Sequence, residues 1–169
     1  MTLPAGMFYA TTADWNRPVP VVAQFVLDTI VAKYDELAEF TESLPKRRVI
    51  TVGTVSVDSP VLAVMYGGTS IGLPGNDFTQ PAASDALHTV TFNIELWRQT
   101  QTSSAGGLLP APDSAISQRA FVTMQDSYAL LEAARSCDPR SVGVVASVEV
   151  QAPEGDMQGV SMLLQIAVP

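Results

Sequence analysis

The sequence contains very little cysteine and histidine, two residue types from which catalytic and metal sites are often built. Its 169 residues include one cysteine, Cys137, and one histidine, His88. This excludes an internal disulfide and the usual zinc ligand sets, and both features are typical of proteins from a reducing cytoplasm. No Ser or Cys nucleophile motif lies beside His88, and no carboxylate spacing marks an acid–base pair. We therefore expect a protein that is not an enzyme and that holds no cofactor or metal.

Positive charge is also scarce. Nine Lys and Arg residues stand against 17 Asp and Glu, which gives a formal net charge of −8. Because DNA binding relies on clustered cations that grip phosphates, it is disfavoured, although an acidic protein suits a channel through which DNA slides. Only 15% of the residues are charged and 47% are apolar. This predicts either a surface partly covered by a partner, or a large core beneath a Ser/Thr-rich surface.

Long apolar runs are missing as well. No run approaches the ~20 residues that span a bilayer, and the start of the chain lacks the basic residues of a signal peptide, so we expect no membrane association and no export. The length suits one domain, 19–169. Residues 1–18 form an arm whose Phe8, Tyr9 and Trp15 dock either on a neighbouring subunit or on their own domain.

The clearest pattern that is present lies in His88–Arg98. Apolar and polar residues alternate there without a break, which predicts a half-buried strand with one core face and one polar face. The core face holds Val90, Phe92, Ile94 and Leu96, and the polar face holds Thr89, Thr91, Asn93 and Glu95. We expect the rest of the chain to pair with this strand or to cover it.

Two stretches have apolar residues at helical spacing. The first runs from about Val19 past Glu42 to Pro45, with an acidic face that is either solvated or turned to a partner or channel. The second runs from an Asp113 or Ser114 cap to Ser136, where the helix dipole raises the pKa of the adjacent Cys137 thiol and makes it a poor nucleophile. We predict that its large apolar residues pack on the sheet as core: Ile116, Ala120, Phe121, Met124, Tyr128 and Leu131.

Further strands are predicted before and after the second helix. They are Val49–Val52, Val61–Tyr66, Val142–Gln151 and Val160–Val168, with a hairpin loop at Pro153–Gly159. Val61–Tyr66 is apolar on both faces, so both should be covered. The elements together predict an α+β fold with a mainly antiparallel or mixed sheet of about four to five strands. Two main helices pack on one face of that sheet, and the connecting loops are long.

The loops supply the candidate contact residues. Gly67–Leu87 is a long Gly- and Pro-rich loop that is either docked on a partner or disordered. Lys46–Arg48 is the only basic run, too short for nucleic acid but able to bind an acidic neighbour. The candidate subunit or tube contacts are Phe8, Tyr9, Trp15, Arg47, Arg48, Ile71, Leu73 and Phe78.

Several segments also carry a likeness to a known family. The sequence Leu-Pro-Lys-Arg-Arg-Val-Ile-Thr-Val-Gly at 44–53, Asp58, the run Val61–Gly68, the strand Val90–Arg98, the helix around 126–131 and the hairpin Pro-Glu-Gly-Asp-Met-Gln-Gly at 153–159 are similar to the tail terminator proteins of long-tailed bacteriophages. The likeness is strongest to phages of actinobacteria. It covers most of the chain, from about Val19 to Val168.

The resemblance implies a structural subunit of the virion that is assembled in the host cytoplasm. Such a subunit forms a ring, expected to be a hexamer, at the head-proximal end of the tail tube. The ring ends tube polymerisation, contacts the tube protein and the head connector, and lets DNA pass without specific binding. The alternatives are another head–tail connector or tail-completion subunit or, from a different class, a cryptic hydrolase or a small-ligand-binding α+β domain with a pocket between sheet and helices.

Overall fold

The computed structural model describes residues 19–71, 88–99, 113–137 and 144–168. In this part of the chain, five strands form one mixed sheet in the order β1-β2-β3-β5-β4. β1 is parallel to β2, and every other neighbouring pair is antiparallel. The predicted α+β fold is confirmed. The elements are α1 (Val19–Glu36), β1 (Arg47–Val52), β2 (Val61–Ile71), β3 (His88–Gln99), α2 (Asp113–Ser136), β4 (Val144–Val150) and β5 (Met157–Val168).

The predicted alternating strand is β3, and it lies at the centre of the sheet. Ile94 lies opposite Val64 of β2 and opposite Met162 of β5. Because side chains alternate along a strand, this register places every even-numbered apolar residue of the three strands on one face. Those whose side chains are described are buried, except the half-buried Tyr66, and they form the main core of the protein.

Both helices contribute buried residues to this main core. α1 supplies Val22, Val26, Ile30 and Tyr34, at the spacing that the sequence predicts. α1 contacts β1 and β2, whereas α2 contacts β4 and β5, and the two helices also contact each other. Neither described helix has a stretch long and apolar enough to cross a membrane.

The core face of α2 differs from the predicted one. Its buried positions are mostly small: Ala129, Leu130, Ala133 and Ala134. The larger apolar residues assigned to the core are exposed instead, by 62% at Phe121, 67% at Met124, 58% at Tyr128 and 39% at Leu131. Ala120 is exposed as well, and the side chain of Ile116 lies outside the described residues. The prediction was wrong because the helix approaches the sheet on its alanines, which permit close contact, and turns its bulky residues outward.

A second, smaller core lies on the opposite face of the sheet. Val61, Ala63, Met65, Trp97 and Met157 are buried there, with Val55 and Val57 packed against them. The last two belong to the connection between the parallel strands β1 and β2, which therefore crosses this face. β2 is thus covered on both faces, as its sequence predicts.

The end of α1 also differs from its prediction. The helix stops at Glu36 and does not continue past Glu42. The backbone N–H groups of Phe40 and Thr41 both donate to the carbonyl of Leu37, which closes a turn. Apolar spacing continues beyond Glu36 in the sequence, but it cannot distinguish a further helical turn from such a closing turn.

β1 begins two residues earlier and β3 ends one residue later than predicted, and two other strands are longer by three residues or more. β2 continues through Ile71, so Gly67–Ile71 is strand and not the start of the long loop. The register of β2 against β3 shifts between Tyr66 and Gly68, and the φ angle of Gly68 is 141°. This bulge lets the strand continue past Gly67 and Gly68. β5 begins at Met157, so the last three residues of the predicted hairpin loop also belong to a strand.

In the second core, Gly159 of β5 lies against the indole of Trp97 on β3. This close contact predicts that a larger residue at position 159 destabilises the fold. A Cβ on Gly159 would lie 2.6 Å from Cδ2 and Cε3 of Trp97, too close for any real contact. Gly159→Ala should therefore lower the free energy of unfolding by about 1–3 kcal/mol, the usual cost of overpacking. Urea unfolding measures this.

The matched control is Gly67→Ala, also in a strand, where the added Cβ meets Thr91 at 3.4 Å. It should cost clearly less than Gly159→Ala. Equal losses in the two variants would show that the indole contact is not the cause.

Candidate functional site

The most constrained polar group in the described chain is the carboxylate of Asp126 on α2. Its Oδ2 accepts a hydrogen bond from Arg98 Nε at 2.6 Å, and its Oδ1 accepts from Arg98 Nη2 at 2.9 Å. The hydroxyl of Tyr34 also donates to Oδ1, at 2.9 Å. Arg98 further donates to the backbone carbonyls of Ser43 and Glu42. One carboxylate thus links α1, α2, the end of β3 and the connection before β1.

The electrostatics of this network follow from burial and from the bidentate pair. Burial and then the charge of Asp126 raise the pKa of Tyr34 well above its ordinary value, so the hydroxyl stays protonated and donates. Burial lowers the pKa of Arg98, but the hydrogen bonds and charge of Asp126 outweigh it and leave that pKa above its ordinary value. Tyr34 and Arg98 therefore both stay protonated near neutral pH, which fits a structural role better than proton transfer.

A cleft opens beside the network, lined among others by Arg98, Arg119, Asp126 and Gly159. Its volume is about 190 Å³, below the ~300–1,000 Å³ typical of small-molecule sites. Arg98 and Asp126 in its wall already satisfy each other. The cleft is therefore smaller than a typical site for a sizeable ligand, and the Arg98–Asp126 pair in its wall is already engaged within the protein.

The described residues contain neither a cluster of metal-binding side chains nor a reactive cysteine thiol. Within them, no group of three or more His, Cys, Asp or Glu side chains could hold a metal ion. Cys137 is fully buried, and burial raises the pKa of its thiol to about 12. The predicted direction of that shift is confirmed, although its main cause is desolvation. A thiol that is protonated and covered is neither a nucleophile nor a ligand.

The distinctive feature of the surface is the outward side of α2. Phe121, Met124, Tyr128 and Leu131, which we call the α2 stripe, follow each other at intervals of three, four and three residues. This spacing places them in one line along the helix, as at the a and d positions of a coiled coil. All four are exposed. Such a line is the usual contact surface for another protein element.

Two of the predicted contact residues lie on β1. Arg47 is engaged within the chain: its Nη1 lies 3.0 Å from Asp58 Oδ1 and also donates to the carbonyl of Ser56. Arg48 is exposed, and its Nε donates to the carbonyl of Pro45. Their contact with another subunit stays a prediction. Ile71 ends β2, with its side chain outside the described residues, as are Phe8, Tyr9, Trp15, Leu73 and Phe78.

Of the eight predicted contact residues, only Arg47 and Arg48 have side chains in the described part of the chain, and both lie on β1. The α2 stripe was visible in the sequence, but the prediction assigned it to the core. The signal that could have corrected this is a second apolar line on the same helix, Ala129, Ala133 and Ala134 with Leu130. A helix with apolar residues on two sides needs two packing partners, and small residues permit the closer approach.

Comparisons with known proteins add no assignment. The sequence matches no family model, and no curated protein matches it.

The Asp126 network predicts a large stability loss from one substitution. Asp126→Ala leaves the buried Arg98 guanidinium without its counter-charge, so the free energy of unfolding should fall by about 3–5 kcal/mol. Urea unfolding followed by circular dichroism measures it. The matched control is Glu132→Ala on the same helix, which removes an ion pair whose Arg135 is largely exposed and should cost about 0.5 kcal/mol or less. Similar losses would contradict the structural role of the network.

The burial of Cys137 predicts an inert thiol. An aromatic disulfide that releases a coloured product on reaction with a thiol measures this. At pH 8 it should not react with Cys137 of the native protein within the time that it takes to label the denatured protein completely. The control is Ser136→Cys, which places a thiol at the neighbouring exposed position and should react at once. Rapid labelling of the native wild-type protein would contradict the burial.

Proposed function

We propose that this protein is a non-enzymatic assembly subunit of a bacteriophage virion that forms a ring at the head-proximal end of the tail tube. The observation that carries the proposal is the α2 stripe: four large apolar side chains exposed in one line on a long helix. Single exposed apolar residues are common in proteins, but an aligned group marks a contact with another macromolecule.

The composition also supports a structural role at the head-proximal end of the tail tube. A net charge of −8 disfavours retention of DNA, which suits a ring through which DNA must slide. The likeness to tail terminator proteins supplies the particular assembly, a ring that ends tube polymerisation and offers a surface to the head connector. A second connector or tail-completion subunit would have the same physical requirements, and it differs only in which neighbours it binds.

The contrasting function, small-ligand binding, has weaker support. It requires a pocket with available polar groups, whereas the cleft beside Asp126 is small and the Arg98–Asp126 pair in its wall is mutually satisfied. The described residues hold no cluster of metal-binding side chains. The α2 stripe would have no role in that function.

The proposal predicts capping of tail tubes. The probe is the tail-tube protein encoded in the same genome, polymerised with and without this protein and viewed by negative-stain electron microscopy. Wild-type protein should shorten the tubes and place a ring at one end only. Phe121→Glu should require about tenfold more protein for the same shortening, because a charge on the α2 stripe opposes its burial.

The control for this experiment is Leu163→Glu, which adds the same charge at an exposed position on β5. It should cap like the wild type, and both variants should melt at the wild-type temperature. Tubes of unchanged length with wild-type protein would contradict the proposed function.

A further inference from the structure

α1 and α2 lie side by side on one face of the sheet. Both contribute buried residues to the main core, and they contact each other. Tyr34, near the end of α1, donates to Asp126 in the middle of α2. Thr29, further back on α1, lies within hydrogen-bonding reach of Cys137 at the end of α2. The two helices are therefore antiparallel, and the sides that they turn away from the sheet form one surface.

The outward side of α1 is acidic. Asp28 and Asp35, which we call the acidic row, are about two turns apart, so they lie on one side of the helix, opposite the buried Val26. Neither has a cation within ion-pair distance in the described part of the chain. The only cation of α1 is Lys33, and it pairs with Glu36. The acidic row therefore keeps its negative charge available to a partner.

The acidic row runs beside the α2 stripe. Asp35 directly follows Tyr34, whose hydroxyl meets α2 at the middle of the stripe. Asp28 lies about two turns back along α1, beside the later part of α2. On α2 itself, Glu132 and Arg135 pair with each other and add no net charge. Because the axes of packed helices are about 8–10 Å apart, one further helix on this surface would contact both rows.

This combination defines the chemistry of the element that fits it. An apolar line at a and d spacing packs against the apolar side of another helix, and charged residues beside that line select the partner. Carboxylates beside the line select lysine or arginine, since complementary charges favour association and like charges oppose it. The element that fits is thus an amphipathic helix with basic residues next to its apolar side.

The described helices of this chain do not have that chemistry. α1 contains one Lys and no Arg, and α2 contains Arg119 and Arg135, of which the second is paired within its own helix. Two copies that faced each other here would bring two uncompensated acidic rows into one contact, which repels. The charge therefore argues for a helix from a different protein.

We propose that the outward surface of α1 and α2 binds a basic amphipathic helix of a different protein. The apolar side of that helix covers the α2 stripe, and its Lys or Arg side chains lie beside Asp28 and Asp35. This inference deepens the proposed function and rests on it, because in a capping ring the protein that supplies the helix is the tail-tube protein. It adds the charge and the secondary structure of the segment that the ring recognises.

Two synthetic peptides of equal length test the chemistry of the partner. Both carry leucine at every a and d position, and they differ at e and g, where one has lysine and the other glutamate. Like charges at e and g keep each peptide from pairing with itself. With a fluorescent label on the peptide, anisotropy measures binding to the full-length protein. The basic peptide should bind with a Kd below about 100 μM, and the acidic one at least about tenfold more weakly.

Variants of the protein locate the contact. Asp28→Asn combined with Asp35→Asn removes the acidic row and should weaken binding of the basic peptide about three- to tenfold, as expected for two exposed ion pairs. Met124→Ser removes part of the α2 stripe, at a side chain that is 67% exposed, and should weaken binding about tenfold. Thermal melting should show that both variants fold like the wild type.

The matched controls change the same kinds of residue on the strands and their connections. Glu149→Gln combined with Glu154→Gln removes two exposed carboxylates, and Leu163→Ser removes an exposed apolar side chain. Both should bind the basic peptide like the wild type. Equal weakening by the two charge-removing variants would show attraction to the total negative charge only, and it would overturn the inference.

The tube assay separates this inference from the proposed function. An excess of the basic peptide should prevent the wild-type protein from capping tubes, and the acidic peptide should not. If the protein caps tubes but the basic peptide neither binds nor competes, the function stands and the inference is wrong. Binding without competition would overturn the tube protein as the source of the helix. If the basic peptide binds as expected but no tube is capped, the binding surface stands and the function is wrong.

Discussion

The buried carboxylate of Asp126 is the constraint on which the arrangement of the helices depends. A carboxylate removed from water must be fully paired, and here Arg98 and Tyr34 supply three hydrogen bonds to it. Arg98 is itself satisfied only because it also reaches the carbonyls of Ser43 and Glu42. The network therefore fixes α2 against β3 and, through the same side chain, fixes the chain that enters β1. This matters for assembly because a ring closes only if the two contact surfaces of each subunit keep a constant angle.

α2 has two apolar sides that differ in the size of their residues. Its inner side is built from alanines and Leu130, and these permit a short distance to the sheet. Its outer side carries the larger residues of the α2 stripe. Exposing them costs free energy in an isolated subunit, at about 25 cal/mol per Å² that remains in water. That free energy is regained when a partner covers the stripe, so the exposed parts of these side chains would contribute to association and not to the fold.

The sequence predicts what depends on local periodicity and misses what depends on packing between distant elements. The alternation of Val90, Phe92, Ile94 and Leu96 is sufficient to predict β3. The cap signal at Asp113 or Ser114 and the following Asp138-Pro139 predict a helix that ends at about Ser136, as α2 does. Both sides of α2 are apolar, so hydropathy alone did not distinguish the side that meets the sheet, and the small size of Ala129, Ala133 and Ala134 was the only local signal. The pairing of Arg98 with Asp126 joins residues 28 apart, and the fit of Trp97 against Gly159 joins two strands. Neither contact leaves a pattern in one sequence.

The two faces of the sheet differ in what they contact. One face forms the main core together with residues of both helices. The other face, on β3, β5 and β4, presents polar residues together with the exposed apolar Val145 and Leu163. The polar residues are Thr91, Asn93, Glu95, Ser147, Glu149, Ser161 and Gln165, and no Lys or Arg lies at the described odd-numbered positions of these strands. A face without cations does not bind phosphates strongly, because phosphate affinity comes from Lys and Arg. This face is therefore compatible with the proposed passage of DNA without binding.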